Sequence, residues 1–240
     1  MPRFFTTDIT DNRAIVTGDD AHHIIKSLRM RMGEQITLCD GRGFDYHGVI
    51  AAVNEKYVEV EIRAKSQSPG EAGIRVALYQ AMPKSDKLDF IVQKAVELGA
   101  YEVIPVLSER CVSRPDEKSM GKKLERLNRT ALEAAKQCGR GVIPRVLPMM
   151  DFPAAIIRMK SSALPILCYE NAAESLSARL KPGVTEIALM TGSEGGFTPE
   201  EAQLAQSEGV FCVSLGRRIL RCETAPVCAL SAIMYEYGEF

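Results

Sequence analysis

The sequence predicts a two-part chain: a small β-barrel with one helix, followed by an α/β layer built on a mostly parallel sheet. Three observations predict it. Short strand-like segments separated by turns fill the chain to about Lys65. The stretch SQSPGEAG (66–73), with Ala72 as its one apolar side chain, then reads as a linker. Beyond it, apolar runs of strand length alternate with segments of helical spacing, the pattern of a parallel sheet covered by helices.

In order, AHHIIKSLRMRMG (21–33) predicts a short helix ending at Gly33. EQITLCD (34–40), the turn GRGFDY (41–46), HGVIAAV (47–53) and YVEVEIRA (57–64) predict the barrel strands, the last by its alternation of apolar and polar residues. After the linker, IRVALYQAM (74–82) and YEVIPVLS (101–108) predict strands on either side of the helix LDFIVQKAVELGA, with Gly99 as its stop. KKLERLNRTALEAAKQCGR predicts a long amphipathic helix ending at Gly139. VIPRVLPM, ALPILCYE, EIALMTG and VFCVSLG supply the remaining strands. The boundaries expected are 1–68 for the barrel domain and 73–240 for the second domain.

Composition limits the function classes. Of 240 residues, 46% are hydrophobic and 25% charged, as in ordinary globular proteins. No run of eighteen apolar residues predicts a membrane span, and the first residues lack the apolar core of a signal peptide. Seven cysteines, odd in number and without a CxxC pair, predict free thiols in a reducing cytoplasm and no metal site. The net charge of −1 argues against a uniformly basic coat, yet residues 108–145 hold ten Lys or Arg against five Asp or Glu. Such a face is solvated or binds phosphates.

The stretch MTGSEGGFTPEE (190–201) holds three glycines within five positions. It lacks the lysine of a phosphate-binding P-loop, and its GxxGG spacing late in the chain does not match a dinucleotide fingerprint. Thr198, Pro199, Glu200 and Glu201 read as an N-cap, a first-turn proline and first-turn acids. About twenty residues on comes SLGRRILRCETAPVCAL (214–230), with a glycine turn and a cluster of arginines before the last helix.

Together, GSEGGF and LGRRILRCETA resemble the SPOUT class of RNA methyltransferases, and more narrowly the RsmE family, which methylates N3 of a uridine in 16S ribosomal RNA of the small subunit. PRFF at the start, HHIIKSLRMRMG, DGRG (40–43), KSDKLDFIVQKAVELG and EAAKQCGR fall where that family places them, so the resemblance spans the chain. One departure is Ser193, where the family usually has proline; serine fixes φ less firmly. The resemblance implies a SPOUT-type parallel sheet with a C-terminal deep trefoil knot, preceded by a small PUA-like β-barrel domain that holds RNA. It also implies a homodimer formed through the C-terminal domain. The cofactor implied is S-adenosyl-L-methionine, with Thr191, Gly192, Glu194, Gly195 and Gly196 on one side and Leu215, Gly216, Ile219 and Leu220 on the other.

Uracil N3 carries a proton, so the enzyme must remove it or stabilise the anionic base. Arg221 is the candidate to hold a uracil carbonyl, because its guanidinium stays charged and donates in a fixed fork. Glu223 is the candidate to orient Arg221 or accept the proton. Cys222 reads as a bystander, since N3 methylation needs no covalent adduct and relatives often carry threonine there. Candidate phosphate ligands are Arg3, Lys26, Arg29, Arg31 and Arg42 in the barrel, with Lys84, Lys87, Arg110 and Arg140 beyond it. The readings that stand beside this one are a SPOUT enzyme acting on another RNA atom, such as a tRNA ribose 2′-hydroxyl, and a non-catalytic RNA-binding assembly factor.

Overall fold

The computed structural model describes residues 2–240, which form two compact units. One unit runs to Glu71 and takes in Ala135–Ile143; the other comprises Ala72–Ala134 and Pro144–Phe240. The linker expected at 66–73 is therefore not the only crossing, because the chain revisits the first unit late.

The first unit holds a five-stranded sheet: β1 (Arg3–Phe5), β2 (Arg13–Thr17), β3 (Gln35–Cys39), β4 (Phe44–Val53) and β5 (Tyr57–Gln67), in the order β1-β3-β4-β5-β2. β1 runs parallel to β3 and the other pairs are antiparallel. Register shifts beside Gly48 and after Ile50 bend β4 against β5. No side chain fits at Gly48, where a β-carbon would lie 2.5 Å from the Glu61 carbonyl oxygen. Phe4, Val16, Ile24, Ile36, Leu38, Ile50, Val58 and Val60 fill the core.

The helix of this unit differs from the sequence expectation. α1 (Gly18–His22) begins earlier, runs into a π-type turn (His23–Ser27) and ends at Leu28, five residues before Gly33. Arg29 breaks it by taking a left-handed φ of 52°, and the Met30 N–H bonds back to the Ile24 carbonyl. Gly33 serves a later turn, donating to Ile50.

Two arginines act inside this unit. Arg3 makes a bidentate pair with the buried Asp45, both nitrogens at 2.7 Å, and also donates to the Arg140 carbonyl at 3.1 Å. Arg140, 4% exposed, donates to Glu71 at 2.8 Å, and that carboxylate also accepts the Gly141 and Val142 N–H groups. These two guanidiniums, expected to meet RNA phosphates, instead fasten residues 139–142 to the sheet.

The second unit contains a seven-stranded parallel sheet. Its strands are β6 (Arg75–Ala81), β7 (Glu102–Leu107), β8 (Arg145–Val146), β9 (Met150–Asp151), β10 (Leu164–Cys168), β11 (Glu186–Thr191) and β12 (Phe211–Val213). The order is β12-β10-β11-β6-β7-β8, with β9 also on β7. β10 and β11 are buried along nearly their whole length, as strands covered on both faces must be. The strand expected from VIPRVLPM is cut down to β8, because Pro144 and Pro148 on either side of it supply no amide hydrogens to a longer ladder, and β9 lies just beyond the stretch.

Helices connect the strands: α2 (Lys87–Glu97), α3 (Glu117–Cys138), α4 (Phe152–Met159), α5 (Leu176–Arg179) and α6 (Pro199–Ser207), with α7 (Thr224–Glu236) last. α2 buries Leu88, Ile91, Val92, Ala95 and Val96 and stops where Gly99 takes a φ of 87°. α6 begins with a capping box: Thr198 accepts the Glu201 N–H while Glu201 accepts the Thr198 N–H.

Asp45→Ala would leave the Arg3 guanidinium without its partner carboxylate. Loss of about 3 kcal/mol of stability is expected in chemical denaturation, and a loss below about 1 kcal/mol would show that the pair is not structurally important.

Candidate cofactor and catalytic site

Open parallel sheets offer ligand clefts at the carboxyl ends of their strands. Here three adjacent strands, β12, β10 and β11, end on one such cleft. Cys168 ends β10 and Tyr169 and Glu170 follow it, Gly192 and Ser193 follow β11, and Ser214–Leu220 follow β12. Ala225, in the first turn of α7, closes the lining.

The glycine loop is held from several directions. Gln80, fully buried in β6, accepts a hydrogen bond from the Thr191 hydroxyl at 2.7 Å, and its amide donates to the Gly192 carbonyl at 3.0 Å. Arg110 donates to the Gly195 carbonyl at 3.0 Å. The Lys84 N–H and the Lys87 ammonium both reach the Glu194 carboxylate. Glu201 also accepts the Glu109 N–H at 2.8 Å, which ties the start of α6 to the end of β7. Gly196 is required for conformation and space: its φ is 64°, and a β-carbon there would lie 3.1 Å from a Glu170 carboxylate oxygen.

The structure divides the candidate cofactor residues. Gly192, Leu215, Gly216, Ile219 and Leu220 line the cleft. Thr191 is buried with its hydroxyl on Gln80, Glu194 turns to Lys84 and Lys87, and Gly195 packs against Arg110. These residues, with Gly196, shape the loop without lining the cleft. The lining also includes Cys168, Tyr169, Glu170, Ser214, Arg217 and Arg218, which the motif reading did not single out. Their signal was present but weak: each lies at or just beyond the end of a strand in this sheet.

Arg221 is exposed, and among the described residues its guanidinium has no carboxylate partner. Glu223 does not hold it. The Glu223 carboxylate instead accepts the Cys222 thiol at 3.1 Å and pairs with Lys87 at 3.1 Å. The thiol bond, the Glu223 amide and Lys87 outweigh burial and hold this carboxyl down at about 2. Folding thus favours its ionised form, and that contribution is complete at neutral pH and lost as pH falls toward 2. Burial and the Glu223 contact push the Cys222 thiol up to about 12, so it is a neutral donor and not a nucleophile. At Glu194, burial would raise the carboxyl, but its own amide, Lys87 and the Lys84 N–H lower it.

Of the candidate phosphate ligands, Lys26, Arg29, Arg31 and Arg42 are exposed on the first unit, and Lys84 and Arg110 on the second. Lys87 is not presented to solvent as a free cation, because two carboxylates occupy it.

Comparison with known proteins agrees with this fold. Residues 70–234 match the family model of an RNA methyltransferase domain, and residues 16–63 that of an RNA methyltransferase PUA domain. Fold and cleft thus define an RNA methyltransferase of the PUA-bearing class. The chain is 36% identical to the ribosomal RNA small subunit methyltransferase E of Bacillus subtilis, over 92% of this chain and 89% of that one. It is 31% identical to the Synechocystis enzyme of the same name, over 94% of this chain and 74% of that one. The crystal structure of the Neisseria gonorrhoeae ribosomal RNA small subunit methyltransferase E bound to S-adenosyl methionine superposes with a TM-score of 0.87 at 33% identity, covering 98% of this chain and 97% of that one. The chain belongs to the ribosomal RNA small subunit methyltransferase E family, for which RsmE is the short name.

Gln80→Leu would remove the acceptor of the Thr191 hydroxyl and the donor to Gly192 inside the sheet. A loss of about 2–4 kcal/mol is expected in thermal or chemical unfolding, from two buried groups left unpaired. A stability equal to that of the native chain would show that the loop does not depend on this amide.

Proposed function

We propose that this chain transfers the methyl group of S-adenosylmethionine to N3 of a uridine in 16S ribosomal RNA, as free RNA or within the small subunit. The observation that carries the reading is the cleft at the ends of β12, β10 and β11, in a chain of this family.

The residues present fit the cofactor. Gly192 and Gly216 present backbone to the cleft, while Leu215, Ile219 and Leu220 offer apolar surface. Ile219 is 87% exposed, an unusual position for an isoleucine unless something covers it. The buried Ser193 hydroxyl has no hydrogen-bond partner among the described residues, which leaves it available at the cleft. Glu170 suits a cationic centre, and Arg217 and Arg218 suit a carboxylate. Thr191, Glu194, Gly195 and Gly196 act on the cofactor through the loop they hold in place.

When bound, S-adenosylmethionine supplies an electrophilic methyl group on a sulfonium whose leaving group is neutral, so no acid is needed. The chain's task is the nucleophile. Arg221, exposed and without a carboxylate partner among the described residues, donates to a uracil carbonyl oxygen and stabilises the base as N3 loses its proton. Glu223, held at about 2, is too weak a base to keep that proton at neutral pH. Its part is to fix the 221–223 turn, with the proton passing on to solvent.

The reading includes a deep trefoil knot in the C-terminal part and a homodimer formed through it. The resemblance in MTGSEGG and SLGRRILRCETA supports the knot, and the exposed Tyr235 and Phe240 near the C-terminus support an interface. It also includes a cytoplasmic location, consistent with seven free cysteines. No helix of the described residues is long and apolar enough to cross a membrane. RNA is held by Lys26, Arg29, Arg31 and Arg42 on the PUA unit and by Lys84 and Arg110 on the other, while Arg3, Arg140 and Lys87 serve internal pairs.

The test is transfer from labelled cofactor to 16S RNA or small subunits, with the product mapped to a single uridine N3; a mark on another atom would overturn the assignment. Arg221→Ala is expected to lower the single-turnover rate roughly 100-fold with cofactor affinity nearly unchanged. Glu223→Gln should lower it too, by a smaller factor, and an unaltered rate would remove Glu223 from the reaction. Replacing Arg29 and Arg31 together by glutamine should flatten the dependence of log K on log salt by roughly 1.4–1.8. An unchanged slope would remove that pair from the RNA surface.

A further inference from the structure

Lys87 stands at the start of α2 and reads by sequence as a candidate phosphate ligand. Its ammonium lies 3.1 Å from Glu194 Oε1, 3.1 Å from Glu223 Oε2 and 3.6 Å from Cys222 Sγ. Three donors therefore meet three acceptors. Glu194 belongs to the glycine loop after β11, and Glu223 to the turn that follows β12 and opens α7. Lys87 thus joins the two segments that form opposite parts of the cleft.

A strained turn aims it. Ser85 takes a left-handed φ of 56°, uncommon for a residue with a side chain. The turn brings the Lys84 N–H within 3.2 Å of Glu194, so one carboxylate is held by both the entry and the first residue of α2. Asp86 and Asp89, the other acids at this end of the helix, pair with Arg126 of α3 and do not compete for Lys87.

We propose that Lys87 is a positioning residue for methyl transfer: it clamps the Glu223 carboxylate to Glu194, fixing the turn that carries Arg221 and keeping Glu223 ionised. The proposal rests on the methyl-transfer reading given above. Its physical basis is charge balance. Both carboxylate oxygens lie within 3.1 Å of one nitrogen, so no more than about 6 Å separates them. At that distance two carboxylates without a cation between them resist being ionised together. The remaining titratable neighbour, the Cys222 thiol, is neutral and can donate only one bond. Removing the ammonium therefore favours uptake of a proton by the pair and frees the two segments from each other. The low position of the Glu223 carboxyl and the upward shift of the Lys87 ammonium, caused first by Glu194 and then by Glu223, agree with this.

The experiment uses the full chain. Carboxyl titration is followed by NMR in protein labelled with ¹³C at the glutamate carboxyl, with the Glu223 signal assigned from Glu223→Gln. Single-turnover transfer to small subunits is measured across pH in parallel. Lys87→Met is expected to raise the Glu223 midpoint by about one pH unit or more, and to move the acid limb of the rate profile in the same direction. The rate at neutral pH should fall about tenfold or more, and Lys87→Arg should restore the native midpoint and most of the rate. Glu194→Gln, which leaves Lys87 to Glu223 alone, should keep the midpoint low even if Lys87→Met fails to fold. A native midpoint and rate profile in Lys87→Met, or a raised midpoint in Glu194→Gln, would overturn the proposal. Failure of the methyl-transfer reading would appear separately, as a native chain that does not methylate small subunits while the NMR titration still reports the clamp.

Discussion

The side-chain amide of Gln80 is the constraint on which the cleft depends. It lies between two parallel strands, taking the Thr191 hydroxyl and giving its N–H groups to the Ala81 and Gly192 carbonyls. Polar groups inside a parallel sheet must be matched, because no water can satisfy them. Matching them here fixes where β11 ends and the glycine loop begins. Everything further along inherits that position: the Gly196 turn against Glu170, the Arg110 bond to Gly195, and the reach of Glu194 to α2. Ser193 lacks the fixed φ of proline, but a loop tied at Gly192, Glu194 and Gly195 does not rely on that one residue for its shape.

A second constraint concerns which cations are free. Arg3, Lys87 and Arg140 all face carboxylates of their own unit, and each joins segments far apart in sequence. Arg217, Arg218 and Arg221 are exposed and, among the described residues, without such partners. Free positive charge therefore stands beside the cleft, along the 217–221 segment. A positive segment beside a cleft suits a reaction in which the base must become anionic before it attacks.

The sequence made the strand ends and the two glycine-bearing motifs legible, because those depend on local chemistry. An apolar run must be buried, a glycine run permits unusual backbone, and Thr-Pro-Glu-Glu starts a helix. It could not show Gln80, which reads as one polar residue in the apolar run IRVALYQAM until the parallel pairing sets it beside Thr191. It misread Arg3 and Arg140 for the same reason: Asp45 and Glu71 lie 42 and 69 residues away, so the pairs have no local signature. The helix at 18–27 was displaced because its stop is a left-handed arginine, a conformation that sequence assigns to glycine.

The arrangement around Glu223 also narrows how the uracil proton can leave. A carboxylate that accepts a thiol hydrogen and faces an ammonium is stabilised as an anion, and its affinity for a proton falls accordingly. Using it as the final base would require those bonds to break in the transition state, at a cost that offsets what proton transfer contributes. Making the substrate's own N3–H more acidic with a free guanidinium requires no such rearrangement. On the proposed reading Arg221, without a carboxylate partner among the described residues, serves that purpose on a turn whose one acid, Glu223, pairs with Lys87. On that reading catalysis by charge placement is the lower-cost route, and the part proposed for Glu223 is to stay ionised and still.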